Sequence, residues 1–112
     1  MAYDEGLAER IRSALSGRSD VREQKMFGGI AFMVGGRMAV GVVRNELMVR
    51  VGPDAHDDAV ARPHARPMDF TGRPMHGFVY VAPEGIAEDY ELGRWVEAGA
   101  TFAASEPPRK GR

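Results

Sequence analysis

Arg62, His64, Arg66, Arg73 and His76 fall in one short stretch of the chain. Guanidinium groups clustered in this way can bind phosphate or carboxylate through paired N–H donors. The competing reading is structural: these arginines would pair with Asp57, Asp58, Asp69 or Glu84 and pin the stretch to a sheet edge. A second candidate is Lys25-Met26-Phe27-Gly28-Gly29, whose backbone N–H groups could form an anion nest with Lys25 or Arg37 nearby. Phosphate loops of the familiar kinds open directly into a helix, whereas Ile30-Ala31-Phe32-Met33-Val34 is a strand former. A bulge or tight turn with Met26 and Phe27 packed inward is therefore the better reading of the glycines.

Other chemistries find less to work with. His56, His64 and His76 lack the spacing of a zinc site, and the acids near them, Asp57, Asp58 and Asp69, are ordinary surface residues. Ser13, Ser16, Ser19 and Ser105 lie outside any nucleophile elbow, and the chain has no cysteine. No catalytic residue, metal or cofactor is expected, and the reading is that of a non-enzyme. Met33, Met38, Met48, Met68 and Met75 suggest instead an adaptable contact surface, with Met33 and Met48 alternating away from the expected core side.

Composition narrows the partners. Lys and Arg number 15 against 16 Asp and Glu, with pI near 6.3, a balance unlike that of a binder of phosphate backbones. At 112 residues the chain is long enough for one domain with its own core. The N-terminus is acidic with no apolar run behind it, so neither a signal peptide nor a membrane span is expected. With no cysteine this fits a cytoplasmic address. The domain is expected over residues 1–106, with 107–112 a disordered basic tail.

The elements that would position these residues follow from periodicity. Asp4 stands as an N-cap before Leu7, Ile11, Ala14 and Leu15, predicting a helix over 5–15 that Gly17 ends. The period then drops towards two, predicting strands over 22–27, 30–34, 38–43 and 47–51, the first of which could run on into the second across Gly28-Gly29. Gly35-Gly36 suits a tight two-residue turn. In the fourth strand Leu47, Val49 and Val51 would face the core, and Met48 and Arg50 the other side. A short helix over 55–62, capped by Asp54, precedes a stretch over 63–74 that reads as an ordered loop because of its three prolines. A fifth strand over 77–81 follows. Leu92, Trp95, Val96, Gly99, Phe102 and Ala103 then mark the main helix. The fold class is α+β: a predominantly antiparallel sheet, a meander of three to four strands plus a later strand, flanked by N-terminal, short middle and long C-terminal helices.

The runs KMFGGIAFMVGGRMAVGV, ELMVRVGP, ARPHARPMDFTGRPMHGFVYV and LGRWVEAGATFA resemble the N-terminal domain of the TfoX (Sxy) family of competence regulators, over nearly the whole chain. The most specific parts are Lys25-Met26-Phe27-Gly28-Gly29, Phe70-Thr71-Gly72-Arg73-Pro74-Met75 and the late Trp95 helix. The resemblance implies the same α+β fold, in a version lacking the second, helical domain of the regulators. It also implies a regulatory or adaptor role through protein contacts, since those regulators are understood to act with a catabolite-activator-type transcription factor. No catalytic residue is established for the domain. A transcription-factor partner and a homodimer are both consistent with it. Direct nucleic-acid or anion binding through Lys25, Arg37, Arg62, His64, Arg66 and Arg73 stays as the alternative, beside an enzyme whose site the sequence does not display.

Overall fold

The structure, a computed structural model, describes residues 3–26, 28–70 and 73–105, with the side chains of 69, 70 and 73–75 outside the description. The expected tail over 107–112 also lies outside the described residues. The chain runs α1 (Glu5–Ala14), β1 (Val21–Met26), β2 (Gly29–Val34), β3 (Arg37–Val43), β4 (Glu46–Arg50), α2 (His56–Val60), β5 (Ala65–Phe70), β6 (Arg73–Val81), a single 3-10 turn (Pro83–Gly85) and α3 (Asp89–Ser105). The six strands form one antiparallel sheet in the order β1-β2-β3-β4-β6-β5. The α+β expectation holds.

Local chemistry accounts for most boundaries. The Asp4 carboxylate accepts from the Leu7 N–H at 3.1 Å and so satisfies one of the free donors at the start of α1. Gly35 and Gly36 have φ of 62° and 86°, the two positive values that an I′ hairpin turn between Val34 and Arg37 requires. Gly28, at φ 75°, helps fold β1 back on β2 as a separate antiparallel strand, so the two do not run on as one. α2 is capped by Ala55 with no side-chain bond, not by Asp54, and spans only His56–Val60.

The larger correction is β5. Residues 65–70 form an edge strand paired with β6, which itself begins at Arg73 rather than Gly77. Prolines do not forbid this, because one side of an edge strand needs no N–H donors, and the register shifts between Pro67 and Asp69.

All three helices lie against one face of the sheet. There Phe32, Val40, Val49 and Val79 meet in one row across four strands, and Ile30, Val42, Leu47 and Val81 in the next, all of them buried. α3 crosses this face with Leu92, Trp95, Val96 and Ala100 turned inward. Trp95 is 2 % exposed, and its burial alone contributes about 2 to 3 kcal/mol. Close approach is set by Gly99, where a Cβ would fall 2.4 Å from the Ala39 carbonyl oxygen. α1 is tied to the start of α3 by Arg10, which donates to the Ile86 carbonyl at 2.8 Å and to Asp89 Oδ1 at 3.0 Å.

Candidate functional site

Arg62 and Arg66, the two arginines of the stretch whose side chains are described, do not converge. Arg62, just beyond α2, turns to the helix side, and its guanidinium carbon lies 3.7 Å from the Trp95 ring centroid. Its nearest acid is Glu91, at 3.9 Å. Burial, and then the like charge of Arg94, push the Arg62 pKa below its ordinary value, with Glu91 opposing. Arg66 lies on β5 and points to the opposite side of the sheet, where it pairs with Glu46 through two N–H donors, one of them at 2.9 Å from Oε1. Its guanidinium also covers the Tyr80 ring at 4.8 Å. Hydrogen bonding from Arg66 holds the Glu46 carboxyl below its usual value, against partial burial. Among the described side chains, Arg62 and Arg66 thus each face an acid from another element, Glu91 and Glu46. His64 is exposed, with a left-handed φ of 67°, and its carbonyl accepts from Ala82 N–H at 2.9 Å. Arg73 belongs to the β6 backbone, and its side chain lies outside the described residues.

Lys25 and Arg37 are also separated. Lys25 is exposed on the edge strand β1 opposite Ile30, whereas Arg37 pairs with Val34 at the other end of β2, about 13 Å further along at strand rise. The glycines between them have geometric roles: besides the positive φ of Gly28, a Cβ on Gly29 would lie 2.2 Å from the Val42 carbonyl oxygen.

The fold brings together a histidine pair, His56 and His76, that no short spacing in the sequence marks. His56, 8 % exposed, accepts from the Gly77 N–H at Nδ1 over 2.9 Å, so that nitrogen carries no proton in this arrangement. The His76 ring lies 4.2 Å from it. The Gly77 carbonyl in turn accepts from Val51 and Gly52 N–H at 2.8 and 3.1 Å. This is a structural knot joining α2, β6 and the end of β4. Twenty residues separate His56 from His76, too far for a spacing motif to reveal it. No group of three or more metal-ligating side chains occurs among the described residues.

The sheet face away from the helices is the more distinctive surface. Strand alternation puts Arg22, Gln24 and Met26 of β1 there, followed across the sheet by Ala31 and Met33, Met38 and Gly41, then Met48. Phe78 and Tyr80 of β6 continue the face, and Arg66 of β5 completes the row. Met33 and Met48 do turn away from the core, as alternation predicts. Met33 is half-buried, but Met48 is only 6 % exposed because its neighbours on this face cover it. The sheet coils strongly enough for Met26 and Met68, from strands at opposite edges, to line the same apolar depression of about 150 Å³.

The architecture is that of a small α+β domain, with helices on one sheet face and a methionine-lined concavity on the other. A family model described as TfoX N-terminal domain matches residues 13–103, and the chain belongs to that family. A comparison with curated proteins finds no match. No helix among the described residues is long and apolar enough to cross a membrane.

Proposed function

We propose that this protein is a non-enzymatic regulatory or adaptor domain that works through protein contacts on the helix-free face of its sheet, in the cytoplasm, with a transcription factor as the partner class. One observation carries this reading: no helix covers that face, yet Met33, Met38, Val43, Phe78 and Tyr80 are partly exposed on it, flanked by Arg22, Gln24, Glu46, Arg50 and Arg66. Exposed apolar area of this kind marks an interaction surface, and methionines adapt to a partner's shape. The family's resemblance to competence regulators supports the transcription-factor partner. A second copy of the chain is the other occupant such a surface would accept. Arg62 and Arg66 lie on opposite sides of the sheet, so these two do not themselves form one basic patch, which favours the protein-contact reading over nucleic-acid binding.

The test is affinity capture from the native cell with the wild type and with Met33→Lys, alongside light scattering of both. A partner or dimer lost in Met33→Lys at unchanged melting temperature supports the proposal. Identical captured proteins and oligomeric states for both would overturn it, as would salt-sensitive binding of duplex DNA that disappears in an Arg62→Glu, Arg66→Glu variant.

A further inference from the structure

The depression on the helix-free face has a definite size and chemistry. Ala31 and Gly41 lie side by side on β2 and β3, in a row that continues to Met48, Tyr80 and Arg66. Two small residues in the middle of a row of large ones let the Met48 methyl fold over Gly41, and the depression left beside it is lined by Met26 and Met68, which the coil of the sheet brings together. The floor is already tight: a Cβ on Gly41 would come within 2.7 Å of Met48 Cε and 3.0 Å of the Ile30 carbonyl oxygen. Half-exposed Met26, Met38, Val43 and Phe78 form the mouth.

We infer that this hollow is a binding site for one small uncharged aromatic ring, about the size of benzene. Its volume, about 150 Å³, equals that of an enclosed apolar cavity that takes up benzene, and here a guest would enter through the open mouth. None of its lining side chains is charged, and the Tyr80 hydroxyl is their one polar group, so a charged ligand would lose its hydration without compensation. Four methionines in the lining favour an aromatic guest over an aliphatic one of equal size, because thioether sulfur is attracted to ring edges and the flexible side chains close around the guest. Phe78 and Tyr80 add offset or edge-to-face ring contacts. The inference goes beyond the protein-contact reading, since it gives the face a small-molecule effector.

The experiment uses the isolated full chain with methionine methyl groups labelled for NMR, titrated in parallel with benzene and cyclohexane. Saturable shifts are expected at Met26, Met38, Met48 and Met68, with intermolecular NOEs to those methyls and benzene bound on the order of three- to tenfold tighter than cyclohexane. Ala31→Leu, which fills the hollow, should abolish the shifts. Should that variant not fold, the NOE map of the wild type decides by itself. Linear, non-saturating shifts, equal affinity for the two rings, or NOEs confined to other methyls would each overturn the assignment. No partner is present in this measurement, so its failure leaves the protein-contact reading standing, and the loss of that reading leaves this one.

Discussion

The Arg62 guanidinium carbon lies 3.7 Å from the centroid of the Trp95 ring, over an indole that is only 2 % exposed. A residue that reads as a ligand-binding arginine is thereby part of the packing around the core. Trp95→Ala should cost about 3 to 5 kcal/mol, mostly from lost burial and the cavity left behind. Arg62→Ala should cost about 1 kcal/mol through the lost cation–π contact and the newly wetted ring. Urea midpoints measure both, and an unchanged midpoint in Arg62→Ala would mean that the stacking contributes nothing to stability.

Two glycines of α3 separate packing from helix propensity. A Cβ at Gly99 would sit 2.4 Å from the backbone oxygen of Ala39, which cannot rotate away, whereas one at Gly93 meets nothing within 4 Å. Gly99→Ala should therefore destabilise by about 1 to 3 kcal/mol. Gly93→Ala should stabilise by about 1 kcal/mol through helix propensity. Thermal unfolding with opposite signs for the two is the expected result, and equal signs would show that the approach of α3 to β3 is not limited by Gly99.

His56→Ala should leave the buried Gly77 N–H without its acceptor, at a cost of about 1 to 3 kcal/mol. The consequence should be local to the junction of α2, β4 and β6, because the Gly77 carbonyl holds Val51 and Gly52. Hydrogen exchange would locate it: faster exchange at Gly77, Val51 and Gly52, with the α1 amides unaffected. Uniform acceleration across the chain would contradict a local knot.

Acid should weaken the fold through two carboxylates held below their ordinary value of 4.5, Glu46 by Arg66 and Glu23 by Arg12. The sign follows from linkage: a carboxylate with a depressed folded pKa stabilises above its unfolded value and loses that contribution as pH falls through the folded one. Glu46→Gln should thus be less stable than the wild type at neutral pH and converge with it well below pH 4.5. Glu23→Gln should behave alike but more weakly, because its side chain is 37 % exposed against 19 % for Glu46. Denaturant titrations at pH 7 and pH 3 compare the variants, and a difference that grows on acidification would reverse the assignment.

What the sequence determined by itself is what near neighbours decide. The Asp4 cap, the Gly35-Gly36 turn, the alternation that turns Met33 and Met48 from the core and the apolar stripe around Trp95 all act over a few residues. Periodicity gave the α+β class, and motif resemblance added the family. The tertiary structure alone decided the rest. β5 exists because β6 offers it a partner, although its prolines read locally as loop. Arg62 and Arg66, four positions apart, diverge because the chain passes from the end of α2 into an edge strand between them, so spacing could not tell a patch from two separate contacts. The hollow between Ala31 and Gly41 needs both the β2–β3 register and the coil of six strands that brings Met26 towards Met68. Register and coil are sums over many distant contacts, each weak alone, and no local window of the chain contains them.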